Sequence, residues 1–294
     1  MRLDNQQESQ NVEDRRTQGG YGGGRMSMGT MMMLWPLIRP LLRSKFGLMI
    51  IGAGLLAYMA GYNPLALIGM GGGASLPVNK AVDEKRAVFI KKVLRSTEEI
   101  WSQLLPKYGL RYKAPVLVLY RGYTHSGCGG AQSQMGPFYC PVDKKVYLDL
   151  GFFDELARRH NAPGDFAQAY VLAHEIGHHV QDLAGTLDKV QKLKRQWGNN
   201  SKRANALQVK VELQADCYAG VWGHYAQQRF GMLETGDLEE ALNAASNIGD
   251  DTLQRKAGQP VRPDAFTHGS SAQRMAWFKR GFESGDLRVC NTFR

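Results

Sequence analysis

Apolar and polar positions divide the chain into unlike regions. Residues 1 to about 30 are polar and then Gly-rich, with Gly19 to Gly24 interrupted only by Tyr21, and carry no periodic apolar face. Such a stretch predicts a disordered tail. The run Met31 to Ile38 is apolar but short, and Pro36, Arg39 and Pro40 interrupt it. Residues 46 to 79 contain no charged side chain at all. Within them, residues 46–70 are long enough to cross about 30 Å of hydrocarbon as a helix. Arg39, Arg43 and Lys45 flank the N-terminal end of this segment, and no basic residue follows until Lys80. The excess of positive charge on one flank predicts a single-pass helix with the N-terminus in the cytoplasm and everything after residue 75 outside.

From residue 83 the pattern is that of a globular domain. Val88, Ile90, Val93, Leu94, Ile100, Trp101, Leu104 and Leu105 recur at threes and fours, which predicts a helix over 83–106, stopped by Pro106. Residues 115–120, 136–140 and 145–150 are rich in β-branched and aromatic side chains and read as strands. After Asn161-Ala-Pro163 the remainder reads mostly helical. The expected fold class is α+β, mostly helical with a small antiparallel or mixed sheet. The expected division is a disordered cytoplasmic tail over 1–45, a transmembrane helix over 46–70, a linker over 71–82 and one domain over 83–294.

Composition changes this picture little. The chain has 294 residues, 43% hydrophobic and 22% charged, values that exclude wholesale disorder. The net charge of +10 invites a nucleic-acid reading, but its distribution argues against one. No block of five or six like charges occurs after residue 79, nor any aromatic-plus-basic pattern of a nucleic-acid module.

The chemistry is concentrated in residues 174–178, His-Glu-Ile-Gly-His, inside a segment of helical character. Histidines at i and i+4 project from one helix face, one turn apart, and can hold one zinc ion. Glu175, next to the first of them, can act as general base toward a zinc-activated water. Gly177 lowers helix propensity, so its presence predicts a second backbone packed close by. Downstream, Glu212 and Asp216 again lie at i and i+4 within an apolar helical stretch. Glu212 can be the third zinc ligand, and Asp216 can hold a ligand imidazole by its other ring nitrogen. His179 points roughly 100° away from His178 and reads as a hydrogen-bonded neighbour. His125, His160 and His224 read as ordinary surface or satisfied residues.

With these motifs in view, the sequence resembles the gluzincin metallopeptidases, whose helix-borne His-Glu-x-x-His is completed by a glutamate in Glu-x-x-x-Asp on a later helix. Within that clan it resembles the bacterial "putative neutral zinc metallopeptidase" family. The resemblance runs through Asn11 to Arg16, Ser126 to Ala131, Gly136 to Pro141, His174 to Gln181, Glu212 to Cys217 and His268 to Arg274. It implies a zincin-like metallopeptidase domain behind one membrane span. It also implies His174, His178 and Glu212 on zinc, Glu175 in catalysis and Asp216 behind His174. Thr267-His-Gly-Ser-Ser-Ala-Gln-Arg274 is similar to the Thr-His-Pro-x-x-x-x-Arg stretch of membrane-bound gluzincins, with Gly269 in place of Pro. That likeness places His268 and Arg274 at the active site; a helix start with an Arg salt bridge is an equally good reading of the same residues.

An exported domain would meet an oxidising compartment, so the four cysteines are expected to pair, Cys128 with Cys140 and Cys217 with Cys290. The resulting expectation is a membrane-anchored zinc endopeptidase acting outside the cytoplasmic (inner) membrane. Its partners would be a protein or peptide substrate and membrane lipid, with no nucleic acid and no small-molecule cofactor. The rival is a zinc-stabilised exported binding or assembly module without proteolytic turnover.

Overall fold

The computed structural model describes residues 1–18 and 79–294. The order of elements is β1 (Val12–Asp14), α1 (Lys80–Leu104), β2 (Val116–Tyr120), β3 (Tyr123–Ser126), β4 (Gly129–Gln132), β5 (Phe138–Cys140) and β6 (Lys145–Asp149). Eight α-helices are described, the rest being α2 (Phe152–Arg158), α3 (Asp165–Leu183), α4 (Thr186–Trp197), α5 (Lys202–Phe230), α6 (Asp237–Asn247), α7 (Asp250–Lys256) and α8 (Ser271–Ser284). The α+β expectation holds, and the sheet is of the mixed kind. Its strand order is β1-β2-β6-β5, with β1, β2 and β6 parallel and β5 antiparallel to β6.

Alternation along the strands sorts the side chains onto two faces. Leu117, Leu119, Val146, Leu148 and Tyr139 join the main core with the helices. Val118, Tyr120, Tyr147 and Cys140 turn the other way and pack with Ala131 of the β3–β4 hairpin. A disulfide between Cys128 and Cys140 ties that hairpin to β5. Cys217 of α5 pairs with Cys290. Both predicted pairings are present.

The helical side of the core is built around α5. Trp101 of α1 meets Tyr218 edge to face at 5.9 Å. The indole N–H of Trp222 donates to Ser96 Oγ at 3.0 Å. Against its other flank α8 approaches so closely that only glycine fits at the crossing. A Cβ at Gly220 would lie 2.0 Å from the Phe278 carbonyl oxygen, and one at Gly281 would lie 2.0 Å from that of Cys217.

Residues 1–18 correct the expectation of a disordered tail over 1–45. Val12, Glu13 and Asp14 pair in register with Leu117, Val118 and Leu119. Leu3 is in the main core, the Arg2 N–H donates to the Met232 carbonyl, and Ser9 and Asn11 both donate to the buried Glu98. Three residues of strand, two of them acidic, carry no apolar run, and their stability comes from hydrogen bonding to β2. Residues 19–45, the apolar segment 46–70 and most of the linker lie outside the described residues. Among the described residues no helix is long and apolar enough to cross a membrane. The domain also starts slightly earlier than expected, with α1 beginning at Lys80.

The pairing of β1 constrains topology. A strand shares the compartment of the strand to which it is hydrogen-bonded, so residues 1–18 and 80–294 lie on one side of any membrane that the chain contacts. An N-terminus in the cytoplasm with the domain outside would require β1 to leave β2. Single-cysteine variants Asp4→Cys and Lys279→Cys, both at exposed positions, should therefore give the same result with a membrane-impermeant maleimide on intact cells. Labelling of one without the other would contradict the β1–β2 pairing. A second expectation concerns the helix crossing: Gly281→Ala should destabilise the domain by about 3 kcal/mol, because backbone has to move to admit the methyl group. Denaturant midpoints measure this directly.

Candidate metal centre

Helix α3 carries the His-Glu-Ile-Gly-His segment at its middle and presents Tyr170, His174 and His178 along one face at successive turns. Helix α5 runs beside it and presents Gln208, Glu212 and Asp216 at the same interval. The two helices meet at Gly177, where a Cβ would lie 2.9 Å from the Ala215 carbonyl oxygen. This is the close backbone that the glycine predicted.

The contact brings together three donors of the kind zinc takes. His174 Nε2 lies 3.2 Å and His178 Nε2 3.3 Å from Glu212 Oε2. All three residues belong to one cluster within 4.8 Å, and among the described residues it is the only metal-capable cluster that contains histidine.

The other polar atom of each ligand is engaged, and that engagement fixes which atom faces the centre. His174 Nδ1 donates to Asp216 Oδ1 at 2.8 Å. His178 Nδ1 is 2.9 Å from Gln181 Oε1, while Gln181 Nε2 donates to the Val211 carbonyl at 2.7 Å. Since a carbonyl can only accept, the Gln181 amide must present its oxygen to His178, and Nδ1 must carry the proton. Glu212 Oε1 accepts from Gln208 Nε2 at 2.7 Å. What remains are three lone pairs facing one another with no donor among them. A proton or a cation has to lie between them. Two imidazoles and a carboxylate suit zinc, and they leave a position for water or substrate. The electrostatics agree. Burial would lower both histidines and raise Glu212, but Asp216 and then Glu212 raise His174, Glu212 raises His178, and the two imidazoles hold Glu212 well below the usual carboxylate range.

Behind His174 sits a carboxylate with both oxygens bonded. Asp216 is fully buried, and it accepts from Tyr170 Oη at 2.6 Å, from His174 Nδ1, and from Arg274 through Nε and Nη2, both at 2.8 Å. Burial alone would raise its pKa; Arg274 and His174 outweigh that and hold it down at about 2. The resemblance placed Arg274 at the active site; in the structure its Nη2 lies 3.4 Å from His174 Nδ1, on the side of the ring that Asp216 holds. Arg274 is 3% exposed, and its guanidinium is spent on Asp216, Tyr170 and the Ile248 carbonyl. It orients the carboxylate that orients His174. The salt bridge and the helix start are both present, with a capping box of Ser270 and Gln273 opening α8.

Glu175 is buried beside the cluster. Burial pushes its pKa up, opposed by His174, His178 and the Tyr139 backbone N–H. His268 lies at the rim with half of its side chain exposed, and its charge reaches Glu212. Asp250, at the start of α7, accepts from the backbone N–H groups of Thr267, His268 and Gly269 and from His268 Nδ1. It leaves Nε2 of His268 as the free end. His179 is buried and bonded to the Lys113 carbonyl and Tyr139 Oη, the neighbour role expected of it.

Sequence reasoning missed Tyr170, Gln181, Gln208 and Asp250. The first three lie one helical turn from a ligand, so the i, i+3 and i+4 positions around His174, His178 and Glu212 were the signal available. Asp250 left none, because it is 18 residues from His268.

Comparison with known proteins agrees with this geometry. The family described as "Putative neutral zinc metallopeptidase" matches residues 1–293, and the chain belongs to it. "Uncharacterized protein YpfJ" of Escherichia coli (strain K12) is 48% identical over the whole of this chain and 99% of its own length. "Uncharacterized protein Rv2575" of Mycobacterium tuberculosis (strain H37Rv) is 42% identical over 208 residues, covering 67% of each chain. No solved structure matches the chain.

Removing Arg274 should expose the dependence of the centre on Asp216. Arg274→Met is expected to cost about 3–5 kcal/mol, because it leaves a buried carboxylate unpaired. Arg274→Met with Asp216→Leu should recover part of that loss in thermal denaturation while still weakening the metal site.

Proposed function

We propose that this family member is a zinc-dependent endopeptidase that hydrolyses peptide bonds. The observation that carries the reading is the set of three convergent lone pairs of His174, His178 and Glu212, with the carboxyl group of Glu175 buried beside them. Bound zinc supplies Lewis acidity toward the scissile carbonyl and lowers the pKa of water. Glu175 takes a proton from the attacking water at its carboxylate and delivers it to the nitrogen of the leaving amine. A purely structural zinc site needs no such carboxyl group and ordinarily takes a fourth protein ligand.

His268 completes the chemistry from the rim. Its Nε2 can donate to the carbonyl oxygen as negative charge builds there, and Asp250 holds the ring in the orientation for that. An extended substrate would lie along β5, the outer strand of the sheet, whose Tyr139 N–H reaches Glu175.

The two disulfides, one of them on the ligand helix, support work in an oxidising compartment outside the cytoplasm. The uncharged stretch at 46–70 supports an association with the membrane. Because β1 and β2 are paired, that association leaves the N-terminal segment and the metal centre on the same face.

Purified protein should contain one zinc per chain and cleave members of a peptide library. Chelation should abolish cleavage and added zinc restore it. Glu175→Gln should keep the zinc and lose two to four orders of magnitude in rate, about what general acid–base catalysis contributes. Cleavage surviving in Glu175→Gln would sink the mechanism, and zinc bound without cleavage in either form would favour a binding module.

A further inference from the structure

We propose that Gln208, aligned by Lys194, is a positioning residue that makes Glu212 bind the metal through one oxygen; the inference rests on the zinc reading above and deepens it. Three residues on one face of α5, spaced one turn apart, divide the labour. Asp216 holds a histidine ligand, Glu212 is itself a ligand, and Gln208 holds Glu212.

The argument turns on which way the Gln208 amide points. Gln208 Oε1 accepts from Lys194 Nζ at 2.7 Å, and Gln208 Nε2 donates to Glu212 Oε1 at 2.7 Å. An ammonium group can only donate, so Lys194 must face the amide oxygen and the amide N–H must face the carboxylate. Without Lys194 the amide has two orientations, one of which turns oxygen toward a carboxylate. With it, only the donating orientation survives. Glu212 Oε1 is thereby tied to a residue one turn earlier on the same helix. Oε2 is left as the atom at 3.2 and 3.3 Å from the two Nε2 atoms.

The consequence is chemical. A carboxylate free to swing can bring both oxygens onto a metal and take up the position that water or substrate needs. A carboxylate tethered at Oε1 cannot. Lys194 comes from α4, outside the two helices that carry the ligands, so α4 contributes to the centre without touching it.

The test uses the full chain as wild type, Gln208→Leu, Lys194→Met and the double variant. Zinc affinity is measured by chelator competition, coordination by the visible spectrum of the cobalt(II)-substituted protein, and folding by circular dichroism. Gln208→Leu should bind zinc on the order of ten- to a hundredfold more weakly, the usual loss when a partner of a ligand is removed. Its cobalt bands should weaken as the coordination number rises. Lys194→Met should lose less, and the double variant should be no weaker than Gln208→Leu, because Lys194 acts through Gln208.

Zinc affinity within twofold of wild type and an unchanged cobalt spectrum in Gln208→Leu would overturn the proposal. So would additive losses in the double variant. If Gln208→Leu fails to fold, an unchanged zinc affinity in Lys194→Met overturns it equally. Wild type that binds no zinc would instead refute the parent reading, and this one with it.

Discussion

The carboxylate of Asp216 is the constraint on which the rest of the structure depends. It is ionised and without access to solvent, a state that is very costly unless every lone pair is used. Arg274 from α8 supplies the counter-charge, Tyr170 and His174 from α3 supply the remaining donors, and Asp216 itself belongs to α5. Three helices are therefore locked in one relative position by a single charge. The glycines at 177, 220 and 281 let the backbones come near enough for the bonds to form. The Cys217–Cys290 disulfide, one residue beyond Asp216, fixes the C-terminal segment to the same helix.

From that lock the geometry of the candidate metal centre follows by elimination of alternatives. Each ligand has two polar atoms, and in each the protein binds one and leaves the other facing inward. Asp216 sets the tautomer of His174, Gln181 that of His178, and Gln208 the free oxygen of Glu212. The lone pairs converge because their alternatives are occupied. Preorganisation of this kind is the difference between three metal-capable residues and a site. Glu175 and His268 have different surroundings, one buried with its pKa pushed up by burial, the other with half of its side chain exposed.

The N-terminal segment shows how little local signal a strand needs when its partner is in place. β1 is three residues long and mostly polar, yet it extends the sheet in register with β2. Its presence in the domain changes the meaning of the uncharged stretch at 46–70. Whatever that stretch contacts, the segments before and after it return to one folded unit.

The sequence by itself determined what depends on neighbours along a helix or strand. Histidines and acids at i and i+4, the glycine at 177, the turn of His179 away from His178 and the strand alternation of 116–120 and 145–149 are consequences of backbone period, and period is written in the order of residues. The same spacing offered Glu212 as third ligand and Asp216 behind an imidazole, and the resemblance to a known family added that this imidazole is that of His174. Tertiary structure alone decided the remainder. The inclusion of residues 1–18 in the sheet, the inward turn of Arg274, the alignment of His268 by Asp250 and the tether from Lys194 through Gln208 all join residues distant in sequence. Such pairs are chosen by which buried charges and polar groups must be satisfied once helices have packed, and no local pattern carries that information.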